Sequence, residues 1–537
     1  MKLLLHPAAS ALGLSLLCCL PLIGPLISPA HSIVYHSSGP VESIFVAVLL
    51  DVIILWLILT GLFLIAQKLP RLWLGVWLAL VVLGPWTLLK IGAKVQAWLL
   101  PQLVSRTLFF GSALCLLAIG MCWRPSFVPT FQRIQSFAAT LLGFTTIFGA
   151  ITISQLLWCL WQARGLKTPI SLHHRLVETT CTEVQSKPRI IWILLDELSY
   201  EQVYEHRFAG LDLPAFDKIA QQSTVFTHVV PAGNLTENVI PSLMTGQPVD
   251  QIHSSADGAR LSLHDPALNH WHLFDQHETI FQDALNAGYS TAVTGWYNPY
   301  CRILPEVIDR CYWTSHQLTP TGSTGEASVT ANAVAPLRNS VESTLRVLSR
   351  RSSRLALDDQ GAEFHISDYR DLLEASDERL KDSSSGFLFL HMPVPHPGGI
   401  YSRRTGRFAL NEGSYIDNLG LADLYLGHVY KLLKQRNEWD SSMILIMGDH
   451  SWRTQLLWAE SSTWTAEDQA ASHGGQFDDR PAYIVKLPEQ KQPSRVETPF
   501  SAIRTRALLQ CVFNGQIQST EDLVAFARQE KATVTEK

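Results

Sequence analysis

The apolar residues are concentrated in the first third of the chain. Five apolar runs there approach the length of about 20 residues that an α-helix needs to cross a bilayer. They lie at about residues 8–28, 42–66, 72–90, 107–123 and 136–162. The pattern predicts a transmembrane region over residues 1–162 with about five helices. Small residues after the first run leave a cleaved signal peptide as an alternative for that segment.

Basic residues between the apolar runs predict the orientation of the chain. Lys68 and Arg71 follow the second run, and Arg124 and Arg133 follow the fourth, whereas HSIVYHSSGPVES after the first run contains neither Lys nor Arg. The positive-inside rule places the two basic connections in the cytoplasm and the third connection outside. We therefore expect the chain beyond residue 162 to lie outside the membrane, with or without cleavage of the first run.

Beyond residue 162 the pattern changes to that of an α/β domain. Residues 163–187 are polar and irregular, which predicts a linker. From residue 188 to about 530, short apolar runs alternate with segments of helical spacing, such as YIDNLGLADLYLGHVYKLLKQR. Buried strands that alternate with helices are typical of a mostly parallel sheet covered on both faces. Residues 318–385 are rich in Ser, Thr and charge, which indicates an insertion or a cap.

Charge and cysteine content narrow the class of protein. The 537 residues include 42 basic and 47 acidic side chains, a net charge of −5, which gives no reason to expect nucleic acid as a partner. Cys301 and Cys311 bracket the segment CRILPEVIDRC in the predicted outer domain. An oxidising compartment favours a disulfide between them, and a reduced, buried pair is the alternative.

Carboxylate and imidazole side chains follow several predicted strands. Because ligands of such sheets bind beyond the carboxyl ends of the strands, we expect these side chains to converge on one rim. They are Asp196, Glu197, His391, His396, Asp449, His450 and, in a loop before the last clear strand, His473. Mixed carboxylate and imidazole ligands favour zinc or manganese over calcium or magnesium alone.

Thr236 lies where a loop meets a helix in the segment AGNLTENVIPSLMTGQ. As a helix cap it would contribute about 1 kcal/mol, and it also completes a glycosylation sequon with Asn234. As a nucleophile it would need help, because a hydroxyl attacks poorly at its ordinary pKa and a bound divalent cation lowers that pKa. The helix start favours negative charge. With the predicted ligand cluster beside it, Thr236 fits phosphoryl transfer through a covalent phosphothreonine.

Taken in order, these segments resemble the alkaline phosphatase and sulfatase superfamily from residue 188 to about residue 490. IIWILLDELSY is similar to the first metal-ligand strand, and LTENVIPSLMTG to the nucleophile segment, with Thr236 ten residues before Gly246. LHMPVPHPGGIYSRR, MGDHSWR and SHGGQFDDRPAYIVK resemble the histidine pair, the Asp-His metal pair and the last histidine segment. The membrane layout narrows the resemblance to lipoteichoic acid synthases and lipid A phosphoethanolamine transferases.

The resemblance implies a role for each matched residue. Thr236 would be the nucleophile, and one or two ions of zinc or manganese would be held by a set of side chains. This set is Asp196, Asp449, His450, His473 and His396. His391, Glu197 and Arg403 would contact the substrate, although His391 also fits a buried, hydrogen-bonded group and Arg403 a solvated loop. The segment TENVI lacks the Cys-x-Pro-x-Arg pattern of formylglycine sulfatases, which argues against sulfate-ester hydrolysis.

The expected function is that of a membrane-anchored, metal-dependent phosphotransferase. It would move a phospho-head group from a membrane lipid to an envelope glycan or lipid acceptor. The resemblance implies a bacterial inner-membrane protein with its catalytic domain in the periplasm or outside the cell. A hydrolase of phosphoric or sulfuric esters with the same site is the alternative, and an inactive binding domain is a third hypothesis.

Overall fold

A computed structural model describes eleven stretches of the chain. They are residues 2–27, 35–36, 41–68, 128–163, 187–256, 258, 260–315, 329–330, 332–334, 353–461 and 463–529. The chain divides into two compact units. The first comprises Met1–Val34, Pro40–Leu166 and Ala327–Pro336, and the second comprises Tyr35–Gly39, Lys167–Glu326 and Leu337–Lys537.

The first unit contains three long helices among its described residues. They are α1 (Lys2–Ile27), α2 (Val41–Gln67) and α3 (Val128–Ala163). Two stretches, Glu42–Ile65 and Phe144–Trp161, are long and apolar enough to cross a membrane by length and composition. The predicted runs at 72–90 and 107–123 lie outside the described residues. The part of residues 1–162 that the structure describes thus contains two candidate spans, against about five that the sequence predicts for the whole region.

The second unit is built from strands and helices in alternation. Its strands are β1 (Ile190–Leu195), β2 (Thr224–Phe226), β3 (Val229–Val230), β4 (Gln251–Ser254), β5 (Leu261–Asp265), β6 (His270–Leu273), β7 (Thr291–Trp296), β8 (Arg310–Thr314), β9 (Phe387–Met392), β10 (Gly399–Ser402), β11 (Arg407–Gly413), β12 (Met443–Gly448), β13 (Tyr483–Lys486), β14 (Ser494–Val496) and β15 (Phe500–Ser501). Its α-helices are α4 (Pro214–Ala220), α5 (Thr236–Thr245), α6 (Ile280–Asn286), α7 (Tyr300–Ile303), α8 (Ser353–Lys381), α9 (Tyr415–Gln435), α10 (Ala466–Ala471), α11 (Thr505–Phe513) and α12 (Thr520–Arg528).

Eight of these strands form one sheet in the order β14-β2-β13-β12-β1-β9-β7-β8. Only β13 runs antiparallel to its neighbours within this sheet, so the predicted mostly parallel α/β sheet is confirmed. Leu195 pairs with Gly448 on one side and with Met392 on the other. The carboxyl ends of β1, β12 and β9 therefore lie level at one edge, where the predicted ligand residues begin.

The central strands form because both of their faces are covered. Trp192 and Leu194 of β1 pack in one apolar core, and Ile191 and Ile193 pack in the other. Every residue of β1, β9 and β12 is buried, as a continuous apolar run predicts for a parallel strand. The sheet is thereby a rigid base for the residues that follow its strands.

The predicted insertion or cap at 318–385 is wrong for the part that forms α8. Ala362, Ile366, Tyr369 and Leu372 are buried in the core on one face of the sheet. Their spacing of three and four residues forms an apolar stripe along an otherwise polar helix. The linker at 163–187 lies almost wholly outside the described residues.

Candidate active site

Thr236 is the first residue of α5, and its hydroxyl does not cap that helix. The N-cap is Leu235, which is extended and makes no side-chain capping bond. The Oγ1 atom of Thr236 instead lies 2.8 Å from Asp449 Oδ2, 3.2 Å from Asp196 Oδ2 and 3.3 Å from His450 Nε2. The cap interpretation is therefore wrong, and the hydroxyl faces a cluster of metal-type ligands.

Asp196, Asp449 and His450 form that cluster at the ends of β1 and β12. All three are fully buried, and one ligand atom from each lies within 4.8 Å of the others. The Oδ1 atom of Asp196 is buried without a hydrogen-bond partner among the described residues. A buried carboxylate oxygen without a donor is costly unless a cation meets it. Two carboxylates and an imidazole suit zinc or a similar divalent ion.

The Asp449-His450 pair is electrostatically coupled. Asp449 Oδ2 lies 3.0 Å from His450 Nε2. Burial by itself raises the pKa of Asp449, but the adjacent imidazole lowers it below its ordinary value. Burial lowers the pKa of His450, and the carboxylate of Asp449 raises it to about 9. At a pKa of about 9 the His450 ring carries a proton on Nε2 near neutral pH, and a cation that binds Nε2 must displace that proton.

His450 is also oriented by its second ring nitrogen. The Nδ1 atom lies 3.0 Å from the carbonyl oxygen of Ser451, which can only accept a hydrogen bond. The proton therefore resides on Nδ1 in the neutral ring, and Nε2 is left as the ligand atom. The imidazole thus presents the correct nitrogen to Thr236 and the carboxylates.

Glu197, for which the resemblance implies a contact with the substrate, is engaged by several protein groups in the structure. It is fully buried with a φ angle of 61°, and its backbone N–H donates to Asp449 Oδ1 at 2.9 Å. Its carboxylate accepts from the backbone N–H of Arg453 at 3.1 Å, from Nε of Arg453 at 2.9 Å and from Nε1 of Trp458 at 3.0 Å. The structure therefore uses Glu197 mainly as the counter-ion of Arg453. A left-handed backbone at a non-glycine residue stores strain of a kind common at functional sites.

His391 and His396 both lie near the carboxylates. His391 is fully buried, with Nε2 3.4 Å from Asp196 Oδ2 and Nδ1 2.7 Å from the hydroxyl of Tyr300. His396 Nε2 lies 3.9 Å from Glu197 Oε1, and burial lowers the pKa of His396 to about 3. A neutral imidazole can act as a ligand. Asp196, Glu197 and His396 form a second group of ligand type beside the first.

The family comparison agrees with this geometry. Residues 188–503, more than half of the chain, match the Sulfatase family. The chain belongs to the sulfatase family. It is therefore an enzyme of phosphoric or sulfuric ester chemistry, as the sequence predicts.

Solved structures are similar at low sequence identity. The phosphonate monoester hydrolase of Agrobacterium radiobacter is 14% identical with a TM-score of 0.36, covering 61% of this chain and 74% of its own. The lipoteichoic acid synthase LtaP from Listeria monocytogenes is 13% identical with a TM-score of 0.36, covering 63% and 74%. Murine ectonucleotide pyrophosphatase/phosphodiesterase 5 is 10% identical with a TM-score of 0.35, covering 63% and 99%. No curated protein matches the chain.

Two predicted site residues of this sulfatase-family enzyme lie elsewhere. His473 is exposed and groups with Glu201 and His206, its ring 5.6 Å from that of His206. Its backbone takes a left-handed φ of 49°, and two glycines with positive φ follow it, which sets the direction of the loop. The structure therefore does not place His473 with the Thr236 cluster.

Arg403 is the second displaced residue. Its Nε lies 3.0 Å from Asp417 Oδ1, and its guanidinium also donates to the carboxylate of Glu467. Two carboxylates thus occupy the donors that a phosphate would need. The structure thus pairs Arg403 with two carboxylates, and its contact with the substrate stays a prediction.

Sequence reasoning overlooked Arg453, Trp458 and Tyr300 of this sulfatase-family site. Arg453 follows His450 by three residues in MGDHSWR, so its place next to the metal pair was a usable signal. The ring of Trp458 packs edge-on against the ring of His396, with centroids 5.1 Å apart. Tyr300 reaches His391 from a segment 91 residues away, and no local pattern marks it.

Proposed function

We propose that the protein is a membrane-anchored, metal-dependent phosphotransferase that acts through a phosphothreonine at Thr236. It moves a phospho-head group from a membrane lipid to an envelope glycan or lipid. The observation that carries the proposal is the position of the Thr236 hydroxyl. This hydroxyl is at a helix start, caps nothing, and lies within 3.3 Å of two buried carboxylates and an imidazole.

The ligand set fits a divalent cation, zinc or manganese. Asp196, Asp449 and His450 would hold it, and Asp196, Glu197 and His396 are a second group of ligand type beside it. When bound, such a cation supplies the positive charge that lowers the pKa of a hydroxyl and stabilises charge on a phosphoryl group.

The residues of the chain account for the transfer in two displacements. Thr236 Oγ1 forms a bond to phosphorus while the bond from phosphorus to the leaving oxygen of the donor breaks. The proton of the Thr236 hydroxyl, which donates to Asp449 Oδ2 at 2.8 Å, is lost from Oγ1 and is balanced by a proton taken up by the leaving oxygen. An acceptor hydroxyl then attacks the phosphothreonine, and Thr236 regains its proton.

The start of α5 also favours a negatively charged phosphoryl group on Thr236. The first N–H groups of an α-helix have no partner inside the helix, and the helix dipole favours negative charge there. A phosphoryl group on Thr236 would therefore lie at the positive end of α5, where the N–H groups of Asn238 and Val239 already donate to the carbonyl of Leu235. His391 contacts the same Oδ2 atom of Asp196 as Thr236 does, and the ring of His391 is in turn held by Tyr300.

The membrane assignment is part of the proposal. The stretches Glu42–Ile65 and Phe144–Trp161 are of spanning length and composition, and a lipid donor would lie at the surface of the same bilayer. We place the membrane region in residues 1–162, the linker in 163–187 and the catalytic domain in 188–530. The orientation follows from the basic connections, with the catalytic domain on the outer side of a bacterial inner membrane.

Substitution of Thr236 tests the nucleophile. In Thr236→Ala the protein should fold and bind metal yet lose nearly all turnover of labelled lipid, whereas Thr236→Ser should retain some because a hydroxyl remains. Thr245→Ala is a matched control, because the hydroxyl of this buried threonine in the same helix donates to the carbonyl of Pro241 and accepts from the N–H of Gln247, and so contacts only backbone groups. Mass spectrometry of protein quenched during turnover should find a phospho-group on the peptide that contains Thr236. Turnover by Thr236→Ala near that of the wild type would refute the proposal.

The fate of the label separates transfer from hydrolysis. Vesicles that contain head-group-labelled phospholipid are incubated with the enzyme and an envelope extract. Transfer places the label on an envelope component, whereas hydrolysis releases it as a free product. Release that is the same with and without the extract would replace the transferase proposal with an ester hydrolase that uses the same residues.

A further inference from the structure

Tyr35 and His36 lie between α1 and α2 in the sequence, but they belong to the compact unit that contains Thr236. Both side chains are buried, with 1% and 3% of their surface exposed. The hydroxyl of Tyr35 donates to Asn298 Oδ1 at 3.1 Å, and Arg302 donates to the backbone carbonyl of Tyr35 at 3.4 Å. This pair of residues is therefore packed into the domain and does not lie loosely on its surface.

His36 contacts two segments at once. Its Nδ1 lies 2.9 Å from the carbonyl oxygen of Tyr297, and its Nε2 lies 3.4 Å from Glu237 Oε2. Its ring also packs on the ring of Tyr297, with centroids 4.2 Å apart. The imidazole thus joins the residue after β7 to the second residue of α5.

Both of these segments border the active site. Glu237 directly follows Thr236, and 31% of its side chain is exposed beside the nucleophile. Tyr297 holds a left-handed φ of 69°, and burial together with the nearby carboxylates of Glu237 and Asp196 raises its pKa above the ordinary value. Trp296, the preceding residue, packs against His396 with ring centroids 5.3 Å apart.

We propose that His36 is a positioning residue of the active site, which fixes Glu237 and the Tyr297 segment beside Thr236. The expected effect of His36 on catalysis rests on the proposed function. The contacts of His36 with Glu237 and Tyr297 do not depend on that function. The N-cap Leu235 makes no side-chain capping bond, and the first turn of α5 is otherwise held by the hydroxyl of Thr236 and by Asn238, whose side-chain amide donates to the carbonyl of Asp250 at 2.6 Å. A residue encoded between the first two apolar helices thereby completes a site whose other members all follow residue 187.

The loss of His36 should shift the start of α5 without removing any residue that reacts. A displacement of about 1 Å at a reacting atom lowers turnover by about 100-fold, and smaller shifts lower it less. With bis(4-nitrophenyl) phosphate as the probe, His36→Ala of the full chain in detergent should show a kcat lowered about 10- to 100-fold. KM should stay within about twofold, because the groups that bind the phosphoryl group remain.

A conservative variant of His36 and a matched control variant distinguish the loss of a positioning contact from a general loss of active protein. His36→Gln keeps two N–H donors on one amide and should recover part of the kcat. His428→Ala removes a similar pair, since His428 Nε2 on α9 lies 2.6 Å from Asp377 Oδ1 on α8, and should leave kcat unchanged. If His36→Ala is not recovered as folded protein, His36→Asn replaces it, because that side chain is too short to reach both acceptors.

Amide hydrogen exchange followed by mass spectrometry supplies a readout that does not depend on activity. His36→Ala should raise exchange in the peptides that contain Glu237 and Tyr297 and not in those of β4–β6. Unchanged exchange in both peptides overturns the proposal, and so does raised exchange with an unchanged kcat. If Thr236→Ala releases 4-nitrophenol as fast as the wild type, the proposed function fails, while the exchange result still decides the placement of His36.

Discussion

Arg453→Met is the substitution that tests the buried charge balance of the site most directly. The Arg453 side chain is 10% exposed and its Nε donates to the fully buried carboxylate of Glu197 at 2.9 Å. Burial lowers the pKa of Arg453, but the carboxylate of Glu197 raises it above its ordinary value, so the guanidinium stays charged. Met has a similar volume and removes the positive charge. Glu197 keeps two donors, the backbone N–H of residue 453 and Nε1 of Trp458.

The magnitude follows from the burial of the pair. Removal of one partner of a buried ion pair costs about 3–5 kcal/mol. The two remaining donors to Glu197 place the expected loss near the lower limit, about 3 kcal/mol. The family match spans residues 188–503, and the unfolding entropy of a domain of that length converts this loss to a fall in Tm of roughly 4–5 °C.

The assay is thermal unfolding of the full chain in detergent, followed by tryptophan fluorescence. Arg207→Met is the control, because Arg207 pairs with Asp217 where the two side chains are 26% and 48% exposed, and the expected loss is under about 1 kcal/mol. Adding Glu197→Gln to Arg453→Met removes the orphaned charge and should recover much of the Tm. A Tm of Arg453→Met within about 1 °C of the wild type would refute the reasoning.

Two further predictions concern metal binding and pH. Asp449→Asn keeps the size of the side chain but removes a charge that offsets a dication, so metal analysis of the purified variant should find much less zinc or manganese; retention equal to the wild type would contradict the ligand assignment. Burial lowers the pKa of Lys486 from 10.5 to about 8, so the unfolded chain binds more protons between these values. The unfolding free energy should therefore rise by up to about 3 kcal/mol as the pH increases from 8 to 10.5. Lys486→Met should flatten this rise in a Tm series across that range, and an equally steep series would show that Lys486 is not its source.

The strands that carry the site were predictable because burial on both faces leaves a direct mark in the sequence. Strands β1 and β12 are continuous apolar runs, β9 is apolar apart from His391, and the residues at their ends converge because parallel strands end at one edge. The disulfide between Cys301 and Cys311 is also confirmed. These features depend on short-range patterns that a single sequence contains.

Contacts between distant segments could not be predicted in the same way. His36 meets Glu237 across 201 residues, and Tyr300 meets His391 across 91. The apolar stripe of α8 was present in the sequence but was hidden by its polar composition. The loop of His473 depends on a left-handed backbone at a residue that is not glycine, which no residue type specifies.

The pairing of Glu197 with Arg453 bears on the number of ions that the site needs. Asp196 and Asp449 are the two fully buried carboxylates that face Thr236, and their combined charge of about −2 matches one divalent cation. Asp196, Asp449, His450 and the Thr236 oxygen together supply four donors, the number that zinc prefers in proteins. A second cation between Asp196, Glu197 and His396 would compete with the guanidinium of Arg453 for the carboxylate of Glu197. Because that guanidinium already balances the charge of Glu197, one divalent ion is sufficient to neutralise the site.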